Sequence, residues 1–189
     1  MARRSIAWVK PDPLGAEFAD VEIGRGRLTA AGIAIGSSPA GYRLDYKLET
    51  LGDYVTSGLT VVARGAGWTR KLDLRRLRSG RWTARGTDSD MAAIQAAFDC
   101  DLALSPLTNS MPVLRHGLLE GGGPIELLMA WVSVPDLRVV PSVQRYRFLR
   151  KSGELSIVRY ESSSRDFVAD LTFDQDGLCL DYPGIGRSV

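Results

Sequence analysis

The sequence predicts a mainly β protein, in which duplicated antiparallel sheets form a barrel-like or half-barrel shell with one or two short helices. Residues 42–50 are the clearest indication, because four apolar side chains alternate with Arg, Asp, Lys and Glu. A period of two places the apolar set on one face of a strand and the charged set on the other. Short glycine-containing connections and a similar order of segments in both halves of the chain point the same way.

In the first half, strands are expected to begin at about Glu17, because residues 11–15 read as a turn around two prolines. Further strands are predicted at residues 28–35, 42–50, 54–64, 68–77 and 81–84. The Arg-Ser-Gly sequence at residues 78–80 predicts a hairpin turn, so the strands on either side should be antiparallel neighbours.

The middle of the chain breaks this pattern. Residues 88–97 favour a short helix capped by Asp88 or Ser89, and residues 98–104 return to alternation. A polar bend follows Pro106, and residues 113–119 predict one or two helical turns that end at three glycines.

In the second half, residues 125–134 are apolar on both faces, which is typical of a doubly covered central strand. Residues 137–150 form a long strand in which Pro141 should mark a bulge or an edge. The last strands are predicted at residues 154–161, 166–174 and 178–182.

The two halves look like copies of one unit. Aligning Trp68 with Phe167 places Leu72 on Leu171 and Leu74 on Phe173, with polar side chains on the opposite face in both segments. We therefore expect a single domain with an internal duplication: a first half at about 17–87, a crossover at about 88–124 and a second half at about 125–184.

Composition narrows the range of functions. The 24 basic and 22 acidic residues are interspersed, which argues against nucleic acid as a partner. No run approaches the roughly 20 apolar residues of a membrane span, so a cytoplasmic protein is the default expectation. Cys100 and Cys179 lie in apolar contexts and should be buried free thiols.

Two groups of residues could contribute chemistry. Asp99 and Asp101 share one face of a strand and could act as an acid/base pair or bind a cation, or they could simply form its solvated face. Arg70 falls on the predicted inner face, where it could recognise a head group, pair with an internal acid such as Asp99 or Asp181, or reach the rim. The single histidine, His116, indicates no mechanism on its own.

Several motifs resemble one known family. They are Trp68-Thr69-Arg70, Asp99-x-Asp101, the segment 105–115, Gln144-Arg145-Tyr146, Tyr160-Glu161-Ser162, and the segments 167–171 and 176–184. Together they are similar to the motifs of the bacterial "putative glycolipid-binding" family, over essentially the whole chain. The chain departs from that family at Ala96-Ala97, where the family has Gly-Cys, and at Ser105-Pro106-Leu107, where it has Thr-Pro-Phe.

The resemblance implies a duplicated β-rich shell with a hydrophobic cavity. The first hypothesis is that this cavity binds an amphipathic ligand, such as a glycolipid, without catalysis. The residues expected to contact the ligand are Arg70, Asp99, Asp101, Asn109, Arg115, Arg145, Tyr146 and Tyr182. No catalytic residue, metal ligand or cofactor is expected, and the oligomeric state is left open. The alternatives are a small-molecule enzyme that uses Asp99 and Asp101, and a structural or partner-binding β module.

Overall fold

The computed structural model describes residues 2–86, 89 and 91–189, and within these ranges fourteen strands form one sheet. The first seven strands are β1 (Ala2–Pro11), β2 (Leu14–Gly24), β3 (Arg27–Gly36), β4 (Tyr42–Thr50), β5 (Thr56–Gly65), β6 (Trp68–Arg76) and β7 (Trp82–Arg85). The other seven are β8 (Asp99–Leu102), β9 (Ile125–Val132), β10 (Val139–Ser152), β11 (Leu155–Ser162), β12 (Phe167–Phe173), β13 (Cys179–Tyr182) and β14 (Gly186–Ser188).

Helical structure in the described ranges is limited to short turns. The α-helix α1 spans Ser110–Arg115, and 3₁₀ turns span Gly52–Tyr54, Met91–Ile94, Leu107–Asn109 and Ser163–Arg165. The predicted mainly β fold with one or two short helices is confirmed.

The strand order is β7-β6-β5-β4-β3-β2-β1-β14-β13-β12-β11-β10-β9-β8, so two meanders join where β1 pairs with β14. Among the described strand pairs, only β8 and β9 run parallel. The outermost strands, β7 and β8, are not paired with each other, so the sheet is not closed into a barrel. The internal duplication and its boundaries stay a prediction.

Residues 97–100, at the start of β8, lie close to two strands of the first meander. The Thr56 backbone N–H donates to the Phe98 carbonyl (3.1 Å), and the Cys100 N–H donates to the Thr56 hydroxyl (3.1 Å). The Trp82 indole donates to the Ala97 carbonyl (2.9 Å). Single hydrogen bonds, rather than a strand ladder, therefore connect β8 and the two residues before it to β5 and β7.

Some local expectations were wrong. Strands begin at Ala2 rather than at about Glu17, because β1 pairs with β2 along its whole length. The expected helix over residues 88–97 is reduced to the turn Met91–Ile94, and the proposed cap Asp88 lies outside the described residues. The Ser89 hydroxyl accepts a hydrogen bond from the Val139 N–H (2.9 Å).

Pro141 does lie at an edge, since β10 pairs with β11 only from Gln144 onward.

Alternating side chains form two hydrophobic cores on the inner face. The larger core includes Trp8, Leu48 and Trp82 from the first meander, and the smaller includes Tyr146 and Phe173 from the second. The segment between the meanders contributes to both, with Leu102, Leu107 and Met111 in the larger core and Val113 and Leu118 in the smaller.

Tyr46 illustrates how the larger core is packed. Its ring lies over Gly32 on the neighbouring strand, where a Cβ would come within 2.3 Å of the ring, and its hydroxyl donates to buried Glu17 (2.8 Å). We predict that Gly32→Ala lowers the free energy of unfolding by about 1–3 kcal/mol, because the ring must leave this position and lose its hydrogen bond. Chemical denaturation measures the change.

Gly41→Ala is the matched control, because a Cβ at Gly41 meets no atom within 4 Å. Its free energy of unfolding should stay close to that of the wild type. Equal stability of the two variants would contradict this account of the packing.

Candidate functional site

The strand β8 is buried on both faces, and it places two carboxylates in the interior. Asp99 is 0% exposed and Asp101 is 8% exposed. The interpretation of these residues as a solvated face was therefore wrong: α1 and the preceding turn cover one part of β8, and β9 runs alongside it. A buried carboxylate needs hydrogen-bond donors, and these donors define the site.

The Asp101 carboxylate accepts hydrogen bonds from side chains in two different parts of the chain. Its Oδ1 accepts a hydrogen bond from the Thr108 hydroxyl (2.9 Å), and its Oδ2 accepts one from the Gln144 amide (2.6 Å). The guanidinium of Arg165 lies 3.9 Å from Oδ2. Asp101 thereby links the bend after β8 to the inner face of β10.

The hydrogen-bond network continues inward from Gln144. The Tyr146 hydroxyl lies 2.9 Å from both the Gln144 Oε1 and the Asn109 Oδ1. The ring of Tyr146 packs edge-on against Tyr160, with 5.2 Å between centroids. Asn109 and Tyr146, both expected to contact ligand, are buried in this network and hold its geometry.

Arg165 adds a cation to the same region. Its Nη2 donates to the Tyr160 hydroxyl (2.6 Å) and its Nη1 donates to the Ser142 hydroxyl (3.2 Å). Its guanidinium also lies over the ring of Trp131, 4.9 Å from the centroid. Arg165 is therefore fixed by hydrogen bonds and by a cation–π contact.

A cavity of about 150 Å³ opens beside Asp101 and Arg165. Aromatic rings from three elements form part of its wall, and Phe167 and Tyr182 pack edge-on with 5.9 Å between centroids. The residues that line it are Asp101, Leu102, Ala103, Leu104, Ser105, Trp131, Arg165, Phe167, Tyr182 and Ile185. We call it the Asp101 cavity.

A second buried carboxylate approaches the same cavity from the first meander. Glu17 accepts hydrogen bonds from Lys10 (2.7 Å), from Tyr46 (2.8 Å) and from the hydroxyl of Ser105 (2.6 Å). Ser105 also lines the Asp101 cavity. The bend after β8 thus connects Glu17 of the first meander with Asp101, whose partners Gln144 and Arg165 lie in the second.

Asp99 forms a separate ion pair. Its Oδ1 accepts a hydrogen bond from Arg115 at the end of α1, while Oδ2 has no hydrogen-bond partner among the described residues. Burial raises the pKa of the Asp99 carboxyl, and Arg115 opposes that shift. Asp99 and Asp101 therefore engage different partners and do not converge on one point.

Two of the expected ligand-binding residues lie elsewhere. Arg70 is exposed, stacks 4.4 Å from the Trp68 ring centroid and donates to the Pro135 carbonyl (3.4 Å). Arg145 is exposed on β10, with 3.8 Å between its guanidinium and the Glu161 carboxylate. The structure gathers Asp101, Asn109, Tyr146 and Tyr182 in one region, with the pair Asp99 and Arg115 on the same crossover segment.

Sequence reasoning missed several residues at the cavity, notably Arg165, Ser105 and Gln144 as hydrogen-bonding groups. Ser105, Gln144 and Phe167 lie within the family-like motifs, which was a usable signal. Arg165 follows a strand in a short turn, and no periodicity marks such a residue.

The described residues contain no group of three or more His, Cys, Asp or Glu side chains that could hold a metal ion. Cys100 and Cys179 are buried and unpaired, and burial raises the pKa of both thiols, that of Cys100 to about 12. Among the described helices, none has the length and apolar character needed to span a membrane.

An open, largely antiparallel sheet of fourteen strands, with a polar and aromatic cavity beside β8, defines the class of fold. The chain belongs to the family described as "Putative glycolipid-binding", whose model matches residues 5–188.

Two solved structures are similar to the chain to different degrees. A DUF1089 family protein from Pseudomonas aeruginosa is similar over 96% of this chain and 95% of its own, with 25% identity and a TM-score of 0.74. A β-barrel-like protein of the DUF1849 domain family from Brucella abortus covers 98% of this chain and 93% of its own, with 9% identity and a TM-score of 0.44. The comparison with curated proteins returned no match.

The burial of Asp101 predicts a pH effect on stability. Burial raises the pKa of its carboxyl above the ordinary value, although the Gln144 hydrogen bond and the Arg165 charge lower it. The unfolded carboxyl has a pKa of about 3.9. Between that pH and the higher folded pKa, the folded protein holds a proton that the unfolded chain has released. In that window the free energy of unfolding rises as the pH falls.

Asp101→Asn removes this contribution. Urea denaturation measures the free energy of unfolding of the wild type minus that of the variant. This difference should become more positive as the pH is lowered from about 7 to about 4. Asp45→Asn is the control, because the hydrogen bond from Arg43 lowers the pKa of the partly exposed Asp45 carboxyl, so this difference should not increase as the pH falls. A constant or narrowing difference for Asp101→Asn would refute the assignment.

Proposed function

We propose that the protein binds an amphipathic ligand without catalysis and that a sugar ring of this ligand occupies the Asp101 cavity. The observation that supports this most directly is the combination of aromatic walls with a compensated Asp101–Arg165 pair in a member of a "putative glycolipid-binding" family. A cavity of about 150 Å³ can hold a molecule the size of benzene, so a larger sugar ring would enter in part, with its remaining hydroxyls toward the opening.

The charge balance favours an uncharged ring over an ionic group. Asp101 alone beside three aromatic rings would suit a cationic ligand. Arg165 already occupies the face of Trp131 and lies 3.9 Å from the Asp101 carboxylate, so it supplies the positive charge itself. A neutral polyol suits such a site better than an ammonium or a phosphate group.

The hydrogen-bonding groups also suit hydroxyls. The Ser105 hydroxyl donates its proton to Glu17, so its oxygen presents acceptor lone pairs to the cavity. The carboxylate of Asp101 is a second acceptor, and the guanidinium of Arg165 is a donor. Sugar hydroxyls both donate and accept, and the apolar face of a sugar ring can pack on Phe167 or Tyr182.

The apolar tail has a route away from the ring. Leu104, Phe167 and Ile185 are partly exposed and line the same cavity, so an aliphatic chain can pass over them toward solvent. The interior of the first meander is packed with Trp8, Tyr46 and other side chains. We therefore propose this route in place of a tail buried between the sheets.

The other expected site residues support the cavity indirectly or do not take part. In this proposal Asn109 and Tyr146 position Gln144, while Asp99 and Arg115 anchor α1 to β8. Arg70 and Arg145 have no contact with the ligand.

Calorimetric titration tests the proposal. The wild type should bind n-octyl β-D-glucoside below its micelle concentration more tightly than n-octyl phosphocholine or nonanoate, which carry the same octyl tail. Phe167→Ala should weaken glucoside binding about tenfold, because one ring contact is worth about 1.4 kcal/mol.

Val168→Ala is the matched control, because Val168 follows Phe167 but is 63% exposed on the opposite face of β12. Its affinity should equal that of the wild type. Absent glucoside binding, equal affinity for the three amphiphiles, or equal losses in both variants would each refute the proposal.

A further inference from the structure

The outer face of the first meander exposes an unusual cluster of large apolar side chains. These side chains are between 43% and 70% exposed, and they belong to Val9, Leu14, Phe18, Ile33 and Ile35. We call this cluster the apolar patch. Isolated apolar side chains on a surface are ordinary, but a contiguous group indicates a binding surface.

The strand register shows that the patch is contiguous. Phe18 on β2 lies directly opposite Ile33 on β3. Ala16 is opposite both Val9 and Ile35, which joins the three strands in a second row, and Leu14 lies two residues before Ala16 on the same face. Two adjacent rows across β1, β2 and β3 are therefore apolar.

A groove runs along the edge of the patch. It has a volume of about 380 Å³ and is lined by Phe18, Ile33 and Val62 together with Lys47. Ala31 lies between Asp20 and Lys47 in the register, and its small side chain leaves the groove open. A neighbouring groove of about 590 Å³ shares Asp20, Ala31 and Lys47.

Beside the patch, the outer face of β4, β5 and β6 is basic. It carries five basic side chains and three carboxylates: Arg43, Lys47, Arg64, Lys71 and Arg75, with Asp45, Glu49 and Asp73. We call this surface the basic flank.

Arginines neutralise all three carboxylates of the basic flank. Asp45 pairs with Arg43 and Arg64, and Arg75 pairs with Glu49 and Asp73. Lys47 and Lys71 form no ion pair with any residue that the structure describes. Two exposed ammonium groups thus remain available next to the groove and the patch.

We propose that this face docks on the surface of an anionic lipid membrane. The apolar patch enters the boundary between head groups and acyl chains, and Lys47 and Lys71 lie over anionic head groups. Charge complementarity identifies this occupant, because a lipid surface supplies apolar chains and a layer of negative charge side by side. Asp20 lies beside Lys47 and accepts a hydrogen bond from Ser5 (2.6 Å). Its single negative charge is smaller than the two positive charges of Lys47 and Lys71, so this part of the face stays net positive.

Vesicle co-sedimentation of the full chain tests the proposal. Wild type should bind vesicles of phosphatidylcholine with 30% phosphatidylglycerol and should bind pure phosphatidylcholine vesicles much more weakly. The triple variant Phe18→Thr/Ile33→Thr/Ile35→Thr should lose at least about tenfold in affinity, while circular dichroism shows an unchanged fold. Its control is Val143→Thr/Val168→Thr, which alters two exposed valines of the second meander.

The charge contribution is tested separately. Lys47→Gln/Lys71→Gln should lower affinity for the anionic vesicles on the order of tenfold and reduce the salt dependence of binding. Arg138→Gln/Lys151→Gln removes the same charge from the second meander as a control.

Four results would overturn the proposal: no binding to anionic vesicles, equal binding to neutral vesicles, equal losses in variant and control, or self-association of the wild type that the triple variant abolishes. None of these outcomes depends on glucoside binding at the Asp101 cavity, so the two proposals stand or fall independently.

Discussion

Two buried carboxylates determine how the two meanders meet. Glu17 lies on the inner face of the first meander, and Asp101 lies on the strand that precedes the second. An ionised carboxylate in a protein interior is tolerated only when donors surround it. The bend between β8 and α1 supplies a donor to each, with Ser105 directed to Glu17 and Thr108 directed to Asp101.

This requirement also explains the composition of the crossover. A polar bend of this kind would ordinarily lie at the surface, yet Ser105, Thr108 and Asn109 are all buried. Each has a hydrogen-bond partner, so the backbone can turn inside the protein between two hydrophobic cores. The Asp101 cavity lies where this polar bend leaves the aromatic residues of the second meander partly uncovered, and there a ligand can meet apolar rings and hydrogen-bonding groups together.

Local patterns in the sequence predicted much of the fold. Alternation located the strand Tyr42–Thr50, and turn residues located the hairpin between β6 and β7. The early strand β1 was missed because its basic start obscures the alternation and its pairing with β14 joins residues more than 170 positions apart. Periodicity assigned Asp99 and Asp101 to a common face, but only the packing of α1 and the neighbouring strands shows that this face is covered.

The candidate site was predictable to the extent that the family-like motifs mark it. Asp101, Asn109, Tyr146 and Tyr182 fall within those motifs and meet in space. Arg165 could not be recognised, because its position depends on contacts with Ser142, Tyr160 and Trp131 that come from three different strands. Arg70 was expected at the site because it alternates with the inward-facing Leu72 and Leu74. Alternation does not show how far along a strand the interior extends, and at Arg70 the side chain is already exposed.

The most direct measurement is a crystal structure of the protein grown with n-octyl β-D-glucoside. The account predicts electron density for one glucose ring between Trp131, Phe167 and Tyr182, with hydroxyls within hydrogen-bond distance of Asp101 or Arg165 and the octyl chain over Leu104 and Ile185. A glucoside bound at another place, or an Asp101 cavity that holds only water at a saturating glucoside concentration, would contradict it.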